Sequence, residues 1–297
     1  EELGLLKMDF LGLRTLTVIR DAEAAIQKKD PSFSIRKLDY DDAATYKMLG
    51  QGETEGVFQL ESSGMKQVLV GLQPQNLEDV IALISLYRPG PMDSIPTYLR
   101  NRHEPDKISY KTPQLAHILD VTNGCIVYQE QVMQIFRELA GFSFGQADNV
   151  RRAMSKKKHA VMEAEREHFV HGCTEPGHEC PGCVANGISE KVANEIYDEM
   201  SSFASYAFNK SHAACYAYVA FQTAYLKCHY PSEFMAALLT SVLDNTDKVI
   251  EYSGECARLG IKVLPPDINV SNGGFTADAN GQIRFGLNAV KSVGRNL

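Results

Sequence analysis

The feature that most constrains the fold is a long stretch without helix-breaking residues, from Tyr206 to Lys227. It contains neither proline nor glycine, and its bulky side chains recur at intervals of three and four residues, the spacing of one helix face. The pattern predicts a long α-helix that carries on one face the side chains of Phe208, His212, Tyr216, Val219 and Thr223.

The beginning of this helix has the chemistry of an anion site. Asn209, Lys210, Ser211 and His212 place several donors within about one turn, where a helix N-terminus also offers free backbone N–H groups and a positive dipole. Tyr216 follows His212 at i+4, so its ring can stack on a flat group attached to the anion. A phosphate that carries a nucleobase matches both features. The alternative is a buried aromatic helix with a lysine at its solvated end.

Composition makes any basic surface a local one. The 297-residue chain is 44% hydrophobic and 23% charged, enough for one large domain or two, and its net charge is -7. Seven cysteines without a signal peptide or a membrane-crossing apolar run predict a cytoplasmic protein with no membrane partner. The chain begins without methionine inside an apolar stretch, so we expect it to be an internal segment of a longer polypeptide.

Five cations lie within eight residues at positions 151–158, namely Arg151, Arg152, Lys156, Lys157 and Lys158. On a helix, Arg152 and Lys156 share one face with Arg151 beside them. Such a ridge suits a polyphosphate or a nucleic-acid backbone. The alternative interpretation is a solvated basic face.

Lys7 and Asp9 lie in an apolar segment, residues 3–11, that predicts a buried strand with both side chains on one face. Two opposite charges on an apolar strand are costly unless they are paired or bound to a metal. The segment therefore contains either a plain Lys–Asp ion pair or an aspartate ligand for Mg²⁺ with a phosphate-binding lysine beside it.

Two further cations are nucleotide-binding candidates. Lys66 lies in the first turn of the helix predicted after Ser63 and Gly64. Arg88 precedes two prolines that flank a glycine, so it is fixed on a rigid turn after the helix predicted over residues 76–87. Arg88 is either a fork for a phosphate or carboxylate, or a helix-end cap.

One segment has zinc-like spacing, with Cys173, His178, Cys180 and Cys183 close together. The C-x₂-C pair can present two thiolates to one metal, although the other spacings match no standard zinc finger. The alternative is a proline- and glycine-rich hairpin between two helices. The polar residues 96–113 predict a surface excursion, and the alternating pattern after residue 260 predicts a small β unit.

Seven segments, in chain order, resemble the C family of DNA polymerases, the bacterial replicative polymerase III alpha subunits. They are KMDFLGLRTLT, VFQLESSGMK, YRPGPMDS, IVYQEQVM, RRAMSKKK, FNKSHAACYAYVAFQTAYLK and LPPDIN. The resemblance covers essentially the whole chain. It implies a mainly α, multi-helix fingers domain with a short palm β-strand at the N-terminus and a small β unit near the C-terminus. The implied domains are the end of the palm (1–20), the fingers (21–260), and a small β unit leading into a helix-hairpin-helix type duplex-binding region (261–297).

The resemblance also implies site residues. Asp9 matches the third metal-binding aspartate of the palm and Lys7 the active-site lysine; the two other aspartates that would complete a two-Mg²⁺ site have no counterpart here. Arg151 and Arg152 match a pair that clamps the triphosphate of the incoming nucleotide. Lys210 and His212 match a further lysine and histidine of the fingers, and Tyr216 matches the tyrosine on which the nascent base pair rests. Lys156, Lys157 and Lys158 are then expected to contact DNA.

These implications give a DNA-directed DNA polymerase, with primer–template DNA and deoxynucleoside triphosphates as partners. Sliding-clamp and other replisome contacts are expected mostly outside this chain. Because one aspartate cannot hold two metals, the isolated chain is expected to be inactive, and the alternative function is a non-catalytic nucleotide- and DNA-binding lobe. A zinc-dependent interaction domain centred on Cys180 and Cys183 is a third class.

Overall fold

The computed structural model describes residues 12–156, 159–204 and 206–291, together with residues 4, 8, 10 and 293. It divides into two compact units. The terminal unit consists of Glu1–Lys66 and Tyr218–Leu297, and the central unit is Gln67–Ala217.

Within the described residues the chain is mainly helical, as predicted, with three very short strands near the C-terminus. The helices are α1 (Arg14–Gln27), α2 (Ala43–Gly50), α3 (Ser63–Leu72), α4 (Leu77–Leu86), α5 (Ile95–His103), α6 (Ala116–Leu119), α7 (Gln129–Ala140), α8 (Phe144–Ser155), α9 (His159–His171), α10 (Gly182–Ala185), α11 (Glu190–Ala204), α12 (Lys210–His229), α13 (Pro231–Ser241) and α14 (Thr246–Arg258). The strands are β1 (Val263–Leu264), β2 (Thr276–Ala277) and β3 (Ile283–Arg284).

The core of the central unit is built mainly from α7, α8, α9 and α11. Aromatic rings form its centre: Phe136 packs against Phe169 with centroids 5.1 Å apart and against Tyr197 at 6.0 Å. Ser143 caps α8 by accepting from the backbone N–H of Gln146, as its position before the helix predicts. This core holds α7 and α8 side by side.

The core of the terminal unit lies between α1 and α13, where the apolar side chains of both helices are buried. The small sheet has the order β1-β3-β2, with β1 parallel and β2 antiparallel to β3. Ile283, in the central strand, is fully buried in this core. The predicted β unit is therefore present, with strands of only two residues each.

Two local predictions are wrong. Residues 96–103 of the expected surface excursion (96–113) belong to α5, and Tyr98 of this helix is buried. The long helix begins at Lys210 instead of including Phe208, because the backbone of Phe208 pairs with that of Tyr128 in a parallel bridge. The predicted palm strand falls largely outside the described residues. None of the described helices combines the length and apolar character that crossing a lipid bilayer requires.

A buried ion pair joins three segments of the terminal unit. Lys227, near the end of α12, is fully buried and its Nζ lies 2.7 Å from Oε1 of Glu255 in α14. The same Nζ donates to the backbone carbonyls of Glu53 and Glu55, at 3.0 and 2.8 Å. Burial lowers the pKa of Lys227. Because all of its described partners are acceptors, the ammonium is well satisfied where it lies.

We expect Lys227→Met to lower the free energy of unfolding by about 3 to 5 kcal/mol, because the carbonyls and one side of Glu255 lose their buried cation. Denaturant titration of parent and variant measures this. Lys248→Met is the control in the same unit: Lys248 forms partly exposed pairs with Glu61 and Glu251, so its loss is expected to cost less than about 1 kcal/mol. Equal costs for the two variants would contradict the structural role given to Lys227.

Candidate functional site

The first residues of α7 lie beside the segment that enters α12. The backbone N–H of Gln129 donates to the carbonyl of Phe208 at 2.9 Å, and the N–H of Phe208 donates to the carbonyl of Val127 at 3.2 Å. The side-chain amide of Gln129 adds a bond to the carbonyl of Ala207 at 3.0 Å. Three hydrogen bonds therefore fix the approach to α12 against the start of α7.

The N-terminus of α12 holds a carboxylate. Asn209 caps the helix, its Oδ1 accepting from the backbone N–H of His212 at 2.9 Å. Glu130 of α7 accepts from the backbone N–H of Lys210 at 3.1 and 3.2 Å and from Nδ2 of Asn209 at 3.1 Å. The helix N-terminus at which the sequence predicts an anion site therefore holds a carboxylate of the protein itself.

The side chain of Lys210 is also engaged. Its Nζ lies 3.0 Å from a carboxylate oxygen of Glu78, in the first turn of α4, and 5.2 Å from the centroid of the Tyr128 ring. The hydroxyl of Tyr128 is buried and has no hydrogen-bond partner among the described residues. Burial raises the pKa of Tyr128, so the hydroxyl stays protonated.

Arg151 and Arg152 of α8 share one carboxylate. Asp148 accepts from Nε and Nη2 of Arg151, at 3.0 and 2.7 Å, and lies 2.8 Å from Nε of Arg152. The hydrogen bond from Arg151 lowers the pKa of Asp148. Nη1 of Arg151 donates to Oε1 of Gln129 at 3.0 Å, so the start of α7 links this arginine to the approach to α12. The side chain of Arg152 is 65% exposed and that of Arg151 only 18%, which leaves Arg152 the more accessible cation.

The aromatic part of the site lies on the first turns of α12. The rings of His212 and Tyr216 lie next to each other, with centroids 4.4 Å apart and planes tilted by 39°, which agrees with their i, i+4 spacing. The ring of Phe208 lies 5.3 Å from that of His212. His212 is exposed and Tyr216 is half-buried, so a flat ligand group has an aromatic surface available on the first turns of α12.

A cavity of about 470 Å³ opens beside the start of α7 and the start of α12. Its volume is in the range of small-molecule pockets. The residues that line it are Gln129, Glu130, Met133, Gln134, Arg137, Glu138, Phe144, Asp148, Arg151 and Asn209.

Arg88 is held by contacts within the central unit. Its Nε donates to the carbonyl of Ser85 at 2.8 Å, Nη2 donates to the carbonyl of Tyr206, and the guanidinium lies 4.3 Å from the centroid of the Phe208 ring. Burial lowers its pKa. Ser85 belongs to the last turn of α4, so these are the contacts of a helix-end cap, one of the two sequence interpretations. Through Tyr206 and Phe208, Arg88 also supports the approach to α12.

The remaining sequence candidates either make none of the contacts given above or lie outside the described residues. Lys66 belongs to the terminal unit, where its ammonium pairs with Glu55. Lys156 is exposed at the end of α8, and its backbone N–H donates to the carbonyl of Arg152, so the predicted ridge of these two residues persists through the last turn. Lys7, Asp9, Lys157 and Lys158 lie outside the described residues.

The cysteine segment forms the alternative hairpin. Cys173 and Cys180 face each other in an antiparallel bridge, with both N–H···O distances at 2.9 Å. Burial raises the pKa of Cys183 to about 12, which disfavours the thiolate that zinc requires. Among the described residues, which include His178, no three His, Cys, Asp or Glu side chains are grouped so that they could hold a metal ion. A zinc-dependent domain therefore has no support here.

Sequence reasoning missed the acidic half of the site. Glu78 and Glu130 each pair with a group at the start of α12, and Gln129 joins α8 to the same place. The segment IVYQEQVM predicts a short strand that runs into a helix and contributes to the family resemblance, but it assigns no site role to Gln129 or Glu130. A half-buried glutamine and an exposed glutamate at a helix start give no periodic signal, because their partners at α12 lie about 80 residues further along the chain.

Comparisons with known proteins agree with this helical architecture. A family model described as the bacterial DNA polymerase III alpha subunit finger domain matches residues 15–177, more than half of the chain. A helix-hairpin-helix motif model matches residues 260–297. The chain therefore belongs to the bacterial DNA polymerase III alpha subunit finger domain family.

Curated relatives give the same answer over nearly the whole chain. A DNA polymerase III subunit alpha of Thermus aquaticus is 50% identical over 301 aligned residues, covering 99% of this chain and 24% of the relative. Those of Bacillus subtilis and Escherichia coli are 47% and 45% identical, each over 99% of this chain and 26% of the relative. The chain spans about a quarter of the length of these relatives.

We expect Tyr128→Phe to raise the free energy of unfolding by about 1 kcal/mol, because the hydroxyl is buried without a hydrogen bond and its removal ends a desolvation cost. Thermal or denaturant unfolding measures the change. Tyr197→Phe is the matched control: its buried hydroxyl donates to the carbonyl of Met162 at 2.6 Å, so its removal is expected to cost about 1 kcal/mol. A loss of stability in Tyr128→Phe would contradict the description of its hydroxyl as unpartnered.

Proposed function

We propose that this chain carries the nucleotide-binding fingers of a template-dependent replicative DNA polymerase. The observation that carries the proposal is the junction in the central unit, where the start of α7 joins Arg151 to the first turn of α12 through Gln129 and Glu130. Family membership supports it independently.

In this proposal the incoming deoxynucleoside triphosphate binds by charge at one end and by stacking at the other. Arg151, Arg152 and Lys210 neutralise the phosphates, and His212 adds a donor at the start of α12. The nascent base pair rests on Tyr216, whose ring lies beside that of His212. Lys66 and Arg88 remain proposed nucleotide contacts, and the backbone contacts of Arg88 give it a supporting role as well.

The reaction is attack by a primer 3′-hydroxyl on the α-phosphate, with pyrophosphate as leaving group. Negative charge grows on the oxygen between the α- and β-phosphates as that bond breaks. Arginine and lysine groups placed in advance stabilise this charge without reorganisation at the moment of reaction. The contribution of the described residues is therefore to position the nucleotide and to stabilise its leaving group.

Magnesium enters the proposal only through Asp9, with Lys7 as the phosphate-binding lysine beside it, and both residues lie outside the described residues. The described residues offer no group of three metal ligands, so none of them is assigned to a metal. When bound, two Mg²⁺ ions would neutralise the entering and leaving oxygens, with their remaining ligands outside this chain.

The proposed partners follow from the same assignment. Primer–template DNA would contact Lys156, Lys157 and Lys158, and the region matched by the helix-hairpin-helix model. A sliding clamp and other replisome subunits would bind mostly through parts outside this chain, in the cytoplasm.

The second candidate is a binding lobe without catalysis, which we expect for the chain by itself because one aspartate, Asp9, cannot hold two metals. Primer extension distinguishes the two. We expect extension by the complete polypeptide that contains this sequence and none by residues 1–297 alone. Primer extension by residues 1–297 would reject the binding-lobe candidate. If the complete polypeptide extended no primer, the polymerase candidate would be rejected.

We expect Arg152→Ala, in the complete polypeptide, to lower kcat/KM for nucleotide incorporation by an amount equivalent to about 2 to 4 kcal/mol of transition-state stabilisation. Arg152 is the more exposed member of the pair, so its removal is expected to leave the fold intact. Single-nucleotide primer extension measures incorporation, and thermal unfolding measures stability.

Arg20→Ala is the control for the loss of one positive charge. Arg20 is exposed on α1 and its ion pair is with its neighbour Asp21 at 2.8 Å, so incorporation should stay at the parental level. Equal incorporation by Arg152→Ala and the parent, at matched thermal stability, would reject the assigned role of Arg152.

A further inference from the structure

Four groups at the junction of α7, α8 and α12 are paired with carboxylates of the protein. Lys210 pairs with Glu78, the first backbone N–H of α12 with Glu130, and Arg151 and Arg152 with Asp148. The proposed function assigns Lys210, Arg151 and Arg152 to a triphosphate, and the N-terminus of α12 is the anion site that the sequence predicts. A nucleotide must therefore compete with carboxylates that already occupy its positions.

The three carboxylates are not equivalent. Asp148 holds two arginines at once, bonds to two nitrogens of Arg151, and is only 22% exposed. The side chain of Glu78 is 47% exposed, and Glu130 is also exposed. Exposed ion pairs contribute little net free energy, because both partners regain water when they separate. Asp148 is thus suited to orient the arginines, whereas Glu78 and Glu130 can leave their partners at small cost.

We propose that Glu78 and Glu130 are exchangeable internal counter-ions. Without nucleotide they hold Lys210 and the first turn of α12 in place; when a nucleotide binds, its phosphates displace them, so these two glutamates set the affinity for nucleotide. The proposal rests on the proposed function and adds to it two residues that determine affinity. A triphosphate carries several negative charges and spans several donors, so it outcompetes single carboxylates where a less charged ligand does not.

A purely structural ion pair in this protein has a different form. Lys227 and Glu255 are both buried, and Lys227 also donates to two backbone carbonyls. Removal of either side chain leaves a buried group that has lost its partner: the two carbonyls lose their donor without Lys227, and the buried ammonium loses its carboxylate without Glu255. Glu78 and Glu130 have solvent on one side and a cavity beside Glu130, so their departure leaves no such group.

The test uses the complete polypeptide with Glu78→Gln and Glu130→Gln, which keep the side-chain shape and remove the charge. KM for deoxynucleoside triphosphate is measured in primer extension, and the rise in Tm on adding the same nucleotide is measured by thermal unfolding. We expect each variant to lower KM by about three- to tenfold, because a neutral amide competes less well than a carboxylate for a cation or a helix N-terminus. Without nucleotide, Tm should fall slightly, and the rise in Tm with nucleotide should be larger than in the parent.

Glu199→Gln is the control for the change in net charge. Glu199 lies in the central unit, is 41% exposed, and pairs with Lys111 at 2.6 Å, away from the groups assigned to the triphosphate. This variant should keep the parental KM and the parental nucleotide-induced change in Tm.

Two results together distinguish exchangeable counter-ions from residues that only support the site. They are lower stability without nucleotide and tighter binding of nucleotide. Residues that only support the site would raise KM or lower kcat when changed, and such a result in both variants would overturn the inference. An unchanged KM would overturn it as well. If the parent gains no stability from nucleotide and incorporates none, the proposed function fails and the inference with it; if the parent binds and the variants bind no tighter, the inference alone fails.

Discussion

The hydrogen bonds between the start of α7 and the approach to α12 determine the rest of the site. Gln129 binds the backbone before α12 on one side and Arg151 on the other, while Glu130 accepts from the first N–H of the helix. Two cationic elements that are far apart in the chain thus share one short segment as their common support. Any movement of α7 would shift both, so the geometry of the phosphate-binding groups depends on how firmly the aromatic core holds this helix.

The charge distribution of the site follows from the same arrangement. Positive groups collected in one place repel each other and are strongly hydrated, so a ligand-free protein needs counter-charges nearby. Glu78, Glu130 and Asp148 supply them, which fits a site whose local cations lie in a chain of net charge -7. The paired state is also a reason why a simple search for unpaired cations would overlook this surface.

Much of the fold could be predicted from sequence, because the helices have strong caps and periodic apolar faces, as at Ser143 before α8. The proximity of His212 and Tyr216 follows from their i, i+4 spacing. The start of the long helix at Lys210, after Phe208, does not follow from the sequence, because the backbone of Phe208 pairs with that of Tyr128, a residue 80 positions earlier. Helix α5 was not predicted, because most of its side chains are polar and its one aromatic ring, Tyr98, is buried. Partners fixed by long-range contacts leave no periodic trace in a sequence.

The most direct test of the account is an experimental structure of the complete polypeptide with primer–template DNA and an incoming nucleotide that cannot react. The account predicts phosphate oxygens within about 3 Å of the guanidinium of Arg152 and the ammonium of Lys210. Glu130 should then have left the first N–H of α12. A triphosphate bound elsewhere, with Arg152 and Lys210 still paired to their carboxylates, would contradict it.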